Sequence, residues 1–411
     1  MVRESLRDGG HRCFINQAVS HVRGDLPVDV LRGAFDRVLA RHEALRCAFV
    51  LEGVTQPVQV VCPPQPMHVD IRDWSDTSEG DRDRAFDAFL REDRKRGVNL
   101  AEPPLLRLCV IKLDETPTYR LVLTGHHAVM DGWSSHIVFA QVARALAGED
   151  LGAGEAAREG LPLRRFLGWL AGQDRDGALA QFEAELRGYD PALMLPALAS
   201  EGPAPDGRTF GRVGVRLGAE ATERITSAAR ACQVTVHTLV QAAWALLLAR
   251  RTGRDDVVFG VTESGRPESL PGASEIVGQL CSAVPLRVRV PAAVSADWLR
   301  SVQQSQATLR DLAAVGLDEL AKQTLRSPTR TLYDTHMVFE SFPGGMAPAG
   351  EAGDDAYVID GWHTPLRVFV FPGSDLRVEL CYDATRVDAT KVRALLDDYG
   401  TQLARVASES L

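Results

Sequence analysis

Between Tyr189 and Arg208 the chain carries four prolines, at 191, 196, 203 and 205, among several glycines and alanines. Proline fixes φ and removes a backbone donor, so neither a helix interior nor a central strand runs through such a stretch. A chain broken this way near its middle must build its core on both sides of the break. At 411 residues it is also too long for one ordinary core, by a prior of roughly 100–200 residues per domain. We therefore expect two units, residues 1–188 and 189–411, joined by a linker that begins at Tyr189.

Each half mixes sheet and helix. In the first, Cys13–Val22 alternates in polarity as a strand does, and Pro27 opens a helix. Val30, Leu31, Ala34, Phe35, Val38 and Leu39 give that helix one apolar stripe. Arg46–Leu51 with Pro57–Val61, and Leu105–Lys112 with Tyr119–His126, read as two strand pairs. A helix is expected from Ser134, a surface loop over 147–162, and a helical stretch from Leu163 to Arg187. The second half offers a strand at Gly211–Leu217, a helix near 219–232, and an apolar helix Val236–Arg251 stopped by Gly253. Strands follow at Asp256–Val261, Val284–Val290 and Thr335–Glu340, then a hairpin of Leu366–Phe371 and Leu376–Tyr382. An amphipathic helix over 388–406 closes the chain. The fold class expected is α/β, in two lobes of similar size.

Composition narrows the functions. Net charge is −9 and the pI about 5.6. A general nucleic-acid binder would need a basic face. Seven scattered cysteines with no C-x-x-C read as reduced thiols. The opening MVRESLRDGGHR lacks a hydrophobic signal region, and no apolar run approaches a membrane span of about 18 residues. The expectation is a cytoplasmic protein without membrane or nucleic-acid partners.

The densest polar constellation is His126-His127-Ala128-Val129-Met130-Asp131-Gly132, at the end of the apolar strand segment Leu121–Leu123. Adjacent strand side chains point to opposite faces, so one histidine faces a cleft and the other the core. A single buried histidine is most often structural. With this chain's ten His and 35 Gly and average Asp usage, the whole H-H-x-x-x-D-G pattern arises by chance in roughly one chain in a thousand. A metal site fits poorly, because adjacent strand histidines diverge and His136 has no carboxylate in register. The sequence offers no evident histidine to make Cys281 a nucleophile. Arg91–Arg96 (REDRKR) reads as a solvated face or a contact for an acidic carrier protein.

HHAVMDGWS resembles the HHxxxDG signature of condensation domains from nonribosomal peptide synthetases, members of the chloramphenicol acetyltransferase-like superfamily. Arg41–Phe49 resembles the family's RHExLRxxF block, and Pro162–Asp174 the block after the active-site helix. Gln241–Trp244, Val258–Gly260 and Ser264–Pro267 also fit. Val277–Arg287 resembles VGxFxNTxPxR, and Tyr333–Pro343 resembles FDxxxVFENYP. Pro57–Val61 and HHxxxDGWS look closest to the branch that often follows an epimerised donor. Two departures stand out. The family's first motif is unrecognisable in Met1–Arg12, and Ser282-Ala283 replace the usual Asn-Thr.

The resemblance implies two acetyltransferase-like lobes in a V-shaped pseudo-dimer, with a tunnel between them. The first would carry the histidines. It implies acyl transfer from a carrier-protein phosphopantetheine thioester to an amine or hydroxyl. The partners would be acyl or peptidyl carrier proteins and a carrier-bound or small-molecule acceptor. The enzyme itself would bind no cofactor or metal; the arm belongs to the carrier. No G-G-x-S carrier motif is found, so the chain would act in trans or as an excised domain. His127 is the candidate base or positioning group, His126 its inward-facing support, and Gly132 a tight turn with an N–H for the oxyanion. The family's matching Asp pairs with an arginine, so Asp131 is expected to be structural, with Arg287 as first candidate partner and Arg46 as second. Trp133 and Ser134 are expected to cap the next helix and, with Ser282, to line the substrate tunnel. The competing readings are a transferase using a free acceptor or acyl-CoA, and a catalytically weak docking module.

Overall fold

The computed structural model describes residues 14–114, 118–151, 162–191, 193–200, 210–312, 332–340, 358–359 and 364–409. They pack into two α/β units. The first takes the described residues of Met1–Ala171, Arg266–Leu280 and Phe342–Trp362, and the second those of Gly172–Gly265, Cys281–Ser341 and His363–Leu411. The division differs from 1–188 and 189–411 in two ways. Helix Arg175–Glu185 belongs to the second unit, because its Leu179 and Phe182 enter that unit's core. The stretch Arg266–Leu280 crosses into the first unit, where Val277 joins the core and Ala273, Ile276 and Leu280 pack on Phe166.

The first unit is built on a five-stranded sheet. Strands β1 (Ile15–Arg23), β5 (Leu106–Lys112) and β6 (Thr118–His126) form its antiparallel centre, and β4 (His68–Asp73) adds in parallel to β5. The strand pair Val358–Ile359 with Asn16–Gln17 completes the other edge. Helix α1 (Val28–Arg41) buries Leu31, Ala34, Phe35, Val38 and Leu39 beside α3 (Gly132–Leu146), as their spacing predicts. Val30, assigned to the same stripe, is 50% exposed. A small sheet of β2 (Cys47–Val50) and β3 (Val58–Val61) follows the helix. Helix α2 (Glu79–Arg96) was not foreseen; it buries only Phe89 and Leu90, too few to show a period among so many charges.

The second unit holds a six-stranded mixed sheet, with β7 (Phe210–Arg216) at one edge and β9 (Ser282–Arg289) at the other, next to β8 (Asp256–Glu263). Helices Val236–Thr252, Ala219–Cys232, Ala296–Asp311 and Ala389–Glu409 pack it. Val236–Thr252 is buried almost all round, with Trp244 stacked edge-on to Tyr399 at 5.2 Å. Gly253 ends it in the left-handed region, φ 68°, the turn that a glycine adopts without a Cβ clash. No single described helix is long and apolar enough to cross a membrane; the bent pair Ala219–Cys232 and Val236–Thr252 meets the length and composition test but contributes to this core.

Candidate active site

Strand β6 delivers the histidines. At its end His126 N–H donates to the Leu105 carbonyl (3.0 Å) and His127 N–H to the Phe14 carbonyl (2.8 Å). Phe14 holds a left-handed φ of 60°, unusual for a bulky residue, immediately before β1. The chain then turns through Val129 and Met130, both buried, and enters α3 at Gly132.

The two histidines do different things. His126 Nδ1 accepts the Ala128 N–H at 3.0 Å, so its own ring braces the turn, and it is 1% exposed. His127 is also buried, at 3% exposure, and its Nδ1 meets Gln279 Oε1. An amide oxygen only accepts, so Nδ1 carries the hydrogen and Nε2 becomes the basic nitrogen.

Asp131 is the hub of the loop. It N-caps α3, accepting from Ser134 N (2.8 Å) and Ser134 Oγ (2.6 Å). Arg266 forks onto it, Nη1 to Oδ2 at 2.9 Å and Nη2 to Oδ1 at 3.0 Å, and Leu280 N–H reaches Oδ2 at 3.0 Å. Both side chains of the ion pair are essentially inaccessible, 2% and 0% exposed. Burial works to raise the Asp131 carboxyl, but the Arg266 charge and the hydrogen bonds from Arg266 and Ser134 outweigh it and hold the group below the usual carboxylate range. Asp131 N–H also donates to the Gly278 carbonyl (3.2 Å), and Trp133 Nε1 to the Ser274 carbonyl (2.9 Å). The Arg266 guanidinium lies 5.1 Å from the Trp133 ring centre. The His126–Gly132 loop is thus sewn to residues 266–280 by side chain and backbone alike.

Several expected roles change. Arg287 does not pair with Asp131: it is bidentate to Asp256 at 2.6 and 2.9 Å and holds the Glu185 and Arg187 carbonyls. Arg46 donates to the Cys62 carbonyl at 2.6 Å. The partner is Arg266, within the S-G-R-P block. Ser134 is fully buried inside the ionic network rather than exposed to a substrate path, and neither it nor Trp133 is the cap, because Asp131 takes that position. Ser282 opens β9, and its Oγ is buried with no hydrogen-bond partner. His136, on α3, lines a separate apolar cavity of about 200 Å³, and burial pushes its pKa down to about 4. Among the described residues no three His, Cys, Asp or Glu side chains converge as metal ligands. Gln279 and Arg266 are the residues that sequence reasoning missed. Both lay in the quoted blocks, but nothing local shows that a residue 152 or 135 positions along will touch the loop.

Comparison with known proteins gives a consistent outcome. A family model described as Condensation domain matches residues 4–410. A linear gramicidin synthase polypeptide of Brevibacillus parabrevis is 31% identical over 386 residues, covering 93% of this chain and 8% of the synthase. Chondramide synthase cmdD of Chondromyces crocatus is 30% identical over 383 residues, covering 92% and 10%. The chain therefore spans about a tenth or less of these relatives. Among solved structures, the first condensation domain of the calcium-dependent antibiotic synthetase superposes with a TM-score of 0.80 at 20% identity, over 99% of this chain and 94% of that one. The condensation domain from the Monacolin K polyketide synthase MokA gives 0.81 at 19% identity, over 100% and 96%. The fold is thus that of condensation domains.

Proposed function

The chain belongs to the condensation-domain family, and from that premise we propose that it transfers an acyl or aminoacyl group from a carrier-bound phosphopantetheine thioester to an amine or hydroxyl, forming an amide or ester. The observation that carries this reading is the His127 ring, hydrogen-bonded through Nδ1 to Gln279 on a loop locked by Asp131 and Arg266. A thioester is already activated, so the enzyme needs a positioned nucleophile, a proton acceptor and stabilisation of an oxyanion.

In this mechanism the acceptor nitrogen or oxygen adds to the thioester carbonyl. His127 Nε2 takes the proton that the attacking atom loses. The tetrahedral intermediate collapses, the C–S bond breaks, and the departing thiolate of the arm recovers the proton. Gly132 begins α3, so its N–H stands at the positive end of that helix, where developing negative charge is favoured. His126, Asp131 and Arg266 act by holding this geometry, and Trp133 is assigned to the wall beside it. The partners are carrier proteins, and the place of action is the cytoplasm, where such carriers work.

Mass spectrometry of an acyl-loaded carrier protein incubated with an acceptor tests this. Product is expected with the native chain. His127→Ala should lower its formation by at least about a hundredfold, the usual scale for a positioned acid–base group, without changing the melting temperature. Near-native turnover in the folded variant would remove His127 from the chemistry.

A further inference from the structure

In the first unit a cavity of about 200 Å³ opens between helix α3, strand β1 and helix α1, the same one that His136 borders. Native cores leave few voids larger than a water molecule. Three alanines keep this one open, Ala18 on β1 and Ala140 and Ala143 on α3, for none has an atom beyond Cβ to fill it. Its outer side reaches solvent, where Leu146 is 36% exposed. Phe35 from α1 and Phe139 from α3 give it aromatic walls.

Those walls hold nothing out to a polar guest. Four polar side chains border the cavity, and all are engaged. His21 Nε2 accepts from Arg120 Nε at 3.0 Å, Ser135 Oγ donates to the Asp131 carbonyl at 3.1 Å, and Ser20 and His136 have partners as well. Among the described residues no Asp, Glu, Lys or Arg lines it. Burial holds the His136 pKa to about 4, so that ring is uncharged near pH 7. A buried water needs roughly two to four polar partners, and these side chains have already spent theirs. An apolar guest that displaces such poorly bonded water gains affinity. Size narrows the guest further. An apolar cavity of about 150 Å³ takes a benzene ring, and about 50 Å³ more admits roughly two further carbons. Contacts between aromatic rings add to what area burial gives, so Phe35 and Phe139 favour a ring over an alkyl chain of equal size.

We propose that this cavity is a binding site for a small uncharged aromatic molecule, a ring bearing a short alkyl group. The guest lies between Phe35 and Phe139 with its alkyl group toward the three alanines, and it makes no hydrogen bond. A charged analogue is excluded, because nothing in the wall replaces its lost hydration. His127 and Gln279 are not among the lining residues, so the inference concerns binding and stands apart from the transfer reaction.

Saturation-transfer NMR on the full chain tests it, with ethylbenzene as probe and 2-phenylethylammonium as its charged control. The native chain should bind ethylbenzene saturably and at least about tenfold more tightly than the ammonium. Ala140→Leu fills the cavity from the helix and should weaken ethylbenzene binding at least about tenfold, the scale of two lost methylene contacts. Ala143→Leu fills it from the next turn and gives the same reading should the first variant not fold. Ala88→Leu, on the wall of another cavity of the same unit, should leave the affinity unchanged. Melting curves establish which variants are folded. Binding that does not saturate, equal affinity for the two probes, or unchanged ethylbenzene affinity in the folded cavity variants would overturn the proposal. An equal loss in Ala88→Leu would do the same, since it would place the probe elsewhere.

Discussion

His126 and His127 carry the same ring on neighbouring residues, and their hydrogen-bond partners give them opposite hydrogen patterns. One takes an N–H at Nδ1 and the other meets an amide oxygen there. If Gln279 fixes the ring and tautomer of His127, Gln279→Ala should lower kcat by about tenfold through loss of one hydrogen bond, with little change in melting temperature. Unchanged kcat would show that something else orients the ring. Asp131 makes the contrasting case. Its removal leaves Arg266 buried and uncompensated, so Asp131→Ala should cost about 3–5 kcal/mol of stability, read by denaturant unfolding. Lost turnover with unchanged unfolding would reverse the role assigned to it. The pairing with Arg266 rather than Arg287 was illegible in the sequence, because several arginines lie in the quoted blocks and only the fold selects one.

Proton linkage at single residues follows from burial. The depressed Asp131 carboxyl contributes stability above its unfolded pKa of about 3.9, and that contribution is lost as pH falls below it. Buried histidines act in a higher window. Burial holds His136 to about 4, and burial with the Arg367 charge holds His336 to about 3. Unfolded histidines take protons near pH 6.5, so stability declines as pH falls from about 6.5 toward 4. The melting temperature should therefore drop between pH 7 and pH 5, and His136→Phe should reduce that drop. An identical pH slope in the variant would contradict the neutral state assigned to His136.

At the scale of elements, legibility followed hydrophobic period. Helix α1 and the strand pair β5–β6 announce themselves because their apolar residues recur at the spacing of one buried face. Helix α2 does not: its inner face carries Asp93, which accepts from Arg107 (2.7 Å), Thr124 (2.5 Å) and Gln17 (2.8 Å), a polar packing that no apolar period reveals. The REDRKR run is thus only partly a solvated face. The parallel neighbours of the second sheet were beyond sequence reach for another reason. Strand β10 (Thr335–Phe339) pairs in parallel with β8, far back in the sequence, through His336 and Gly260. There the fold needs a missing side chain: a Cβ on Gly260 would stand 2.3 Å from His336 Nδ1 and 2.4 Å from Tyr333 Cε2. Both rings are packed in the core and have nowhere to retreat. Gly260→Ala should cost about 1–3 kcal/mol by overpacking, seen as a lower melting temperature. A variant as stable as the native chain would show that the two strands part easily.

For the whole molecule, the proline-rich break suggests a division at residue 189, whereas the two units draw their members from both sides of it. Residues 266–280 leave the second half of the sequence to lock the loop of the first, and a helix of the first half joins the second core. Chain order alone cannot show such an exchange; it rests on contacts between residues more than a hundred positions apart. The motif was more legible than its support, since histidine, aspartate and glycine sit within seven residues while Gln279 and Arg266 lie far along the chain. We propose that the acyl group arrives on a carrier protein. A protein-borne thioester gains protein–protein contacts and a high local concentration that coenzyme A or a short thiol lacks. The decisive measurement compares initial rates for one acyl group presented on a carrier protein, on coenzyme A and on a short thiol mimic, each with the same acceptor at equal concentration. The carrier-bound donor is predicted to react much faster than either small thioester. Equal or greater specificity for the acyl-CoA would exclude carrier-borne delivery and make the chain a small-molecule acyltransferase.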